Sequence, residues 1–121
     1  MAKVFLDTNI LIGFLEKQDQ KLKFSLKGHK LFLSPLSIHI SIYVVRQKMP
    51  FTKLSNIKDS FSLISFSKDI VDKALLGPTT DFEDNVQLHS AVASDCEFFL
   101  TSDQALLKLN FFGKTRIVNS L

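Results

Sequence analysis

The stretch Lys3-Val4-Phe5-Leu6-Asp7-Thr8-Asn9-Ile10-Leu11-Ile12 decides the fold of this chain. It begins as a short apolar strand, reaches an acid at Asp7, and continues with the apolar spacing of a helix. In open α/β sheets, ligands bind beyond the carboxyl ends of the strands, where the strand order reverses. Asp7 therefore has two interpretations. It is either a functional carboxylate at that edge or, like Thr8, only a cap for the helix that follows.

The same order of strand, acid and helix returns at residues 97–107, where Asp103 takes the place of Asp7. Further short strands are predicted at 30–34, 60–66 and 114–119. Segment 36–49 alternates in part like a strand, but Ser34-Pro35 before it favours a capped helix. Alternating strands and helices imply parallel strands and right-handed crossovers. We predict an α/β fold, a three-layer α/β/α sandwich with a mostly parallel central sheet of about four to five strands, formed by residues 1–121 as a single domain.

An acidic stretch, Thr80-Asp81-Phe82-Glu83-Asp84, opens a further predicted helix. Thr80 and Glu83 have the capping-box spacing, which assigns Glu83 to capping. Asp81 and Asp84 are three residues apart and share a helix face. The helix macrodipole favours acids at this end, which accounts for Asp81 and Glu83. Asp84 is the acid that this structural explanation accounts for least well.

Composition indicates a compact protein of the cytoplasm. The chain has 121 residues, is 45% hydrophobic and contains twelve Phe, enough to bury a core. Its apolar runs are too short and too often interrupted to span a bilayer. The first residues do not have the pattern of a secretory signal, and a single cysteine, Cys96, cannot form an internal disulfide. We expect Cys96 to be a small buried hydrophobic residue.

Charge is distributed unevenly along the chain. Residues 20–58 contain eight Lys and Arg and no Asp or Glu. Such a basic segment is typical of a surface that binds a polyanion, here through Lys21, Lys23 and Lys27. The alternative is that these lysines only solvate exposed faces.

Asp7, Asp84 and Asp103 can converge only if a cation offsets their repulsion. Oxygen ligands without cysteine or paired histidines suit Mg²⁺ or Mn²⁺. Beside a basic surface, the reaction that this combination favours is metal-assisted hydrolysis of a phosphodiester bond. A phosphoaspartyl enzyme of the haloacid dehalogenase type would instead need a second Asp at position 9, where this chain has Asn. A phosphorelay receiver would need an acceptor Asp at mid-chain.

Three motifs, VFLDTN at 4–9, DFED at 81–84 and LTSD at 100–103, resemble those of the PIN domain, the fold of VapC-type toxin ribonucleases. The resemblance spans essentially the whole chain. It implies an α/β/α sandwich, a divalent metal, an RNA substrate and, frequently, a homodimer. For toxin members it also implies an antitoxin protein that blocks the site.

The resemblance assigns roles residue by residue. Asp7 matches the first metal-binding acid, Asp84 the acid that opens the late helix, and Asp103 the last acid after the strand. The residues matched to positioning of ligands, substrate or water are Asn9, Thr101 and Ser102.

One departure concerns the helix after the second strand, where many PIN domains carry a Glu and this chain has Ile40. Either Asp81 supplies the fourth acid or the site is weaker. Segment 34–39 is similar to a PIN subgroup with a histidine in this helix, so His39, like His89, either faces the metal or is a packed or surface residue. The predicted function is a metal-dependent ribonuclease, the toxin of a toxin–antitoxin pair. The alternative is a degenerate PIN-like module that binds RNA or a protein partner.

Overall fold

A computed structural model describes residues 1–16 and 20–121. Its strands are β1 (Lys3–Leu6), β2 (Lys30–Leu33), β3 (Phe61–Leu63), β4 (Phe98–Leu100), β5 (Phe111–Phe112) and β6 (Thr115–Val118). Its helices are α1 (Thr8–Glu16), α2 (Gln20–Leu26), α3 (Pro35–Val45), α4 (Thr52–Ile57), α5 (Lys68–Ala74), α6 (Phe82–Ala93) and α7 (Gln104–Leu107), with a 3-10 turn at Lys58–Ser60. None of the helices in this part of the chain has both the length and the apolar character needed to cross a membrane.

The strands form a six-stranded sheet in the order β3-β2-β1-β4-β6-β5. All neighbours are parallel except β5, which runs antiparallel to β6. The predicted mostly parallel α/β/α sandwich is thereby confirmed. The expected four to five strands fall short of the six observed, because the two residues of β5 are too few to show a strand pattern.

Side chains of β1 alternate between two helical layers, as a buried strand requires. Val4 and Leu6 belong to an apolar cluster with residues of α1, α2 and α4. Phe5 belongs to the cluster on the opposite face, with residues of α6 and α7. Its ring stacks on Phe99 of β4, with centroids 5.5 Å apart and planes inclined by 8°. Burial of one such side chain contributes about 1.5 to 3 kcal/mol, so β1 is fixed firmly in register.

The order of the strands reverses at β1, which lies between β2 and β4. Leu6 is paired with Leu100, and the Asp7 backbone N–H donates to the Leu100 carbonyl at 3.0 Å. The chain segments that leave β1 and β4 therefore start side by side. This is the edge at which α/β proteins place their ligands.

The predicted cap of α3 is confirmed and that of α6 is wrong. Ser34 caps α3 and Ser67 caps α5, each through its side chain. In α6 the cap is Asp81, whose Oδ1 accepts from the Asp84 backbone N–H at 2.9 Å, so Thr80 is not the capping residue. The turn before the helix is held by the buried Asn85, whose amide accepts from the Thr79 backbone N–H and donates to the Thr79 carbonyl. Glu83 is consequently free of a capping role.

Cys96 is buried, with 3% of its surface exposed. Burial raises the pKa of its thiol to about 12. The thiolate required of a nucleophile is therefore strongly disfavoured, in agreement with the expected packing role.

Candidate active site

Asp7 lies at the carboxyl end of β1 with only 3% of its surface exposed. Its Oδ1 accepts a hydrogen bond from Gln87 Nε2 at 3.0 Å, and its Oδ2 accepts one from Thr101 Oγ1 at 2.6 Å. Burial raises the pKa of Asp7, whereas the hydrogen bonds from Thr101 and Gln87 lower it. The carboxylate is thus oriented by two neutral donors, and the side chain is directed away from a capping role.

Gln87 connects Asp7 to two other elements. Its Oε1 accepts from the Thr8 backbone N–H at 2.9 Å and from Ser37 Oγ at 3.4 Å. Thr8 Oγ1 also donates to Ser37 Oγ at 2.9 Å. Helices α1, α3 and α6 therefore meet in one buried polar network beside Asp7.

Asp103 follows β4 on the neighbouring strand end. Its Oδ1 accepts from the backbone N–H groups of Ala105 and Leu106 and so caps α7. Its own backbone N–H donates to Thr101 Oγ1 at 3.0 Å. Because the same hydroxyl donates to Asp7, Thr101 fixes both acids relative to each other.

Asp84 is half-buried in the first turn of α6 and has no hydrogen bond or ion pair through its side chain within the described residues. Burial and then the negative charges of Asp81, Asp7, Asp103 and Glu83 raise its pKa to about 7. Four other acids are therefore close enough to act on Asp84 electrostatically.

Glu83 is also half-buried, and burial raises the pKa of its carboxyl group. The nearby Thr8 side chain lowers this pKa, and the charges of Asp7 and Asp81 raise it. Glu83 thus faces the same centre as Asp7, which its sequence assignment to capping did not anticipate.

The donor chemistry of this acid centre, defined as Asp7, Glu83, Asp84 and Asp103, fits a hard divalent cation. All four supply carboxylate oxygens, as Mg²⁺ and Mn²⁺ prefer. The ion pairs found among residues 1–16 and 20–121 lie elsewhere, so no lysine or arginine there neutralises the centre. Within those same ranges, no three His, Cys, Asp or Glu side chains are close enough together to hold a metal as they stand. Mutual repulsion of unneutralised carboxylates opposes any closer approach.

Other predicted residues lie outside the acid centre or at its margin. Asn9 and Ser102 are exposed; Asn9 lies two positions after Asp7, and Ser102 directly precedes Asp103. Asp81 is exposed and used as the α6 cap. Ile40 is half-buried, so α3 meets Asp7 through the hydroxyl of Ser37 and not through an acid.

The two histidines differ in environment. His39 is exposed on α3. His89 is part-buried, with Nε2 at 2.9 Å from the Gly77 carbonyl and its ring edge-on to Phe112. His89 therefore has a packing role, one of the two alternatives that the sequence left open.

The exposed lysines of the basic segment are not brought to the acids. Lys23 and Lys27 line a cavity of about 350 Å³ together with Lys53 and apolar side chains that include Phe14 and Phe61. Lys27 precedes β2, so it lies at the amino edge of the sheet, opposite the edge that carries Asp7. Lys21 is exposed on α2 as well.

Three residues of the site were not anticipated from the sequence: Ser37, Glu83 and Gln87. Only Glu83 had a usable signal, since it is an acid one position from Asp84 and Asp81 was equally able to cap. For Ser37 and Gln87, both within helices, no sequence pattern distinguishes a buried polar side chain from an exposed one.

Comparison with known families gives a match to the PIN domain over residues 3–105. The chain belongs to the PIN domain family. This PIN domain shares its fold with a chain in the crystal structure of VapBC2 from Rickettsia felis bound to a DNA fragment from their promoter. The TM-score is 0.70 over 98% of each chain, at 15% sequence identity. Comparison with curated proteins finds no match to this PIN domain.

Proposed function

We propose that this PIN domain is a Mg²⁺- or Mn²⁺-dependent endoribonuclease that hydrolyses RNA phosphodiester bonds and acts in the cytoplasm as the toxin of a toxin–antitoxin pair. Membership of the PIN family supports nuclease activity at the level of the family. The observation that carries the proposal for this chain is that the pairing of β1 with β4 and the hydrogen bonds of Thr101 hold Asp7 and Asp103 at one edge of the sheet. Burial and the four neighbouring acids raise the pKa of Asp84 to about 7, which places Asp84 near the same edge. A functionless surface would gain stability by separating these charges or pairing them with cations.

In this proposal, Asp7, Asp84 and Asp103 hold the metal through carboxylate oxygens, and Glu83 adds a further negative charge. The bound cation supplies an activated water and offsets charge on the phosphate in the in-line transition state. Thr101 holds Asp7 and the start of the Asp103 loop in fixed relation. Asn9 and Ser102, which are exposed and close in sequence to Asp7 and Asp103, are assigned to contact substrate or water. Asp81 caps α6 and adds to the negative potential.

RNA is the proposed substrate because of the acid-free segment 20–58 and its exposed lysines. Lys21, Lys23 and Lys27 are assigned to phosphates remote from the cleaved bond, since α2 follows the end of α1 that is distant from Asp7. Nine residues of α1 at about 1.5 Å per residue separate the two ends by about 13 Å. A substrate longer than one nucleotide is needed to reach both.

A protein partner is proposed on two grounds. VapBC2, whose structure contains a chain of this fold, was crystallised on promoter DNA, and VapC-type toxins are partnered by antitoxins. Adjacent large apolar side chains are more than half exposed at Tyr43 and Val44 and at Leu75 and Leu76, and contiguous apolar surface is commonly covered by another chain. An antitoxin and a second copy of the domain are both proposed as partners.

The test is cleavage of tRNA and single-stranded RNA with Mg²⁺, Mn²⁺ or EDTA by the parent, Asp7→Asn and Asp103→Asn. Asparagine can still cap α7 in place of Asp103, so the fold is expected to survive. Asp59→Asn is the matched control, because Asp59 is an exposed acid paired with Lys58 on the surface. We expect metal-dependent cleavage by the parent and the control, and loss of cleavage in the other two variants.

The degenerate binding module is the second candidate, and the absence of an acid at position 40 favours it. It predicts no cleavage with any metal, together with RNA or partner binding that Asp7→Asn leaves intact. Equal cleavage by the parent and Asp7→Asn would contradict the assignment of the acid centre itself.

A further inference from the structure

Gln87 is a buried residue of α6 whose side chain donates a hydrogen bond to Asp7. It lies one turn after Glu83 and Asp84, on the same face of the helix, and none of its surface is exposed. Burial of a glutamine side chain costs about 1.5 to 2 kcal/mol in lost rotamer entropy. Each polar atom of its amide must also find a hydrogen-bond partner. Leucine would pack at such a site without that cost.

The orientation of the Gln87 amide is fixed by its partners. The Thr8 backbone N–H can only donate, so the atom that faces it at 2.9 Å must be Oε1. Nε2 is then directed at Asp7 Oδ1, 3.0 Å away. The reversed amide would place two donors together at Thr8 and two acceptors together at Asp7.

This arrangement gives Asp7 a donor without a positive charge. Lysine or arginine in the same place would neutralise the carboxylate and compete with a cation. The amide holds one oxygen of Asp7, and Thr101 holds the other. An ionised carboxylate has about four lone-pair sites, so two remain for a cation.

We infer that Gln87 is a positioning residue that sets the orientation of the Asp7 carboxylate for the metal and links it to α3 through Ser37. The inference rests on the proposed function. Residues that hydrogen-bond a metal ligand generally fix its orientation, and loss of such a residue costs about 10- to 100-fold in metal affinity or activity. Gln87 has this relation to Asp7. Ser37 completes the network from the helix that carries no acid.

The experiment compares the parent with Gln87→Met, which keeps length and apolar bulk but cannot form any of the three hydrogen bonds of the amide. Ser90→Ala is the matched control: Ser90 is equally buried on α6, but its hydroxyl donates to the Val86 carbonyl within the helix. Mn²⁺ affinity is measured by calorimetry and by the Mn²⁺-dependent rise in Tm, and cleavage kinetics are measured in parallel.

We expect Gln87→Met to raise the Kd for Mn²⁺ by about 10- to 100-fold and to lower kcat at fixed metal with little change in the KM for RNA. Ser90→Ala should leave both unchanged. If Gln87→Met does not fold, Gln87→Asn replaces it, since an amide shorter by one methylene cannot span Asp7 and Thr8 together. A folded Gln87 variant with the parental Mn²⁺ affinity would overturn the inference.

The failure of this inference and that of the proposed function are distinguishable. If the parent binds Mn²⁺ but cleaves no RNA, the proposed nuclease is wrong, whereas weaker Mn²⁺ binding by Gln87→Met still supports the positioning role. If the parent cleaves RNA and Gln87→Met cleaves it equally with the same Mn²⁺ requirement, the positioning role is wrong and the nuclease stands.

Discussion

Thr101→Val removes one buried hydroxyl while leaving the shape of the side chain almost unchanged. The hydroxyl is completely buried, donates to Asp7 Oδ2 at 2.6 Å and accepts from the Asp103 backbone N–H at 3.0 Å. A hydrogen bond to a charged group contributes about 1.5 to 3 kcal/mol and a neutral one about 1 kcal/mol. We therefore expect Thr101→Val to lower the free energy of unfolding by about 3 kcal/mol.

Thr101→Ser is the matched variant, because it keeps the hydroxyl and loses only a buried methyl group. That loss costs about 1 kcal/mol in transfer free energy and residual cavity. The two variants separate the contribution of the hydrogen bonds from that of packing at a single position.

The assay is urea unfolding of the metal-free protein in EDTA at pH 8, with thermal melts in parallel. At about 4 °C per kcal/mol, Thr101→Val should melt about 12 °C below the parent, well below Thr101→Ser. Should Thr101→Val prove as stable as Thr101→Ser, or more stable, the hydroxyl would not be holding the two acids and the account of the centre would fail.

Two further predictions concern charge. The pKa of Asp84 is raised from 3.8 to about 7 in the folded protein, so folding favours its protonated form: the stabilisation is fully present below about pH 4 and is lost as the pH rises through 7. In EDTA, the urea midpoint of the parent should therefore fall more steeply between pH 5 and pH 8 than that of Asp84→Asn. Parallel pH profiles for the two proteins would contradict this. Mg²⁺ should also raise the Tm of the parent more at pH 8 than at pH 5. Replacement of Lys21, Lys23 and Lys27 by Gln should weaken RNA binding and reduce the slope of its salt dependence by about 0.7 for each phosphate that the protein no longer neutralises, whereas an unchanged slope in filter binding would remove these lysines from the interface.

The central part of the fold followed from the sequence because its signals are local. An apolar run that ends in Asp7 or Asp103 and is followed at once by a helical pattern predicts a strand. It also predicts that the acid lies at the carboxyl edge of the sheet. Ser34-Pro35 likewise marked the start of α3 against the competing strand-like alternation of Ile38 and Ile40. Pairing of β1 with β4 then brought the two acids to one edge, as the parallel topology requires.

The features that the sequence did not reveal depend on competition between neighbouring residues for one role, or on contacts between residues far apart in sequence. Thr80 and Asp81 are both good caps, and tertiary contacts such as those of Asn85 with Thr79 favour the later start of α6. Gln87 approaches Asp7 through tertiary packing alone, so no local pattern identifies it. The lysines of segment 20–58 cluster in sequence, but the crossover from α1 to β2 carries Lys27 to the far edge of the sheet.

The pairing of β1 with β4 also has a consequence for synthesis of the chain. Asp7 and its hydrogen-bond donor Thr101 lie 94 positions apart. At translation rates of about 5 to 20 residues per second, a growing chain carries Asp7 for about 5 to 20 s before Thr101 and Asp103 exist. Under the proposed function, this order of assembly would keep each nascent molecule inactive toward RNA until the last strands have emerged.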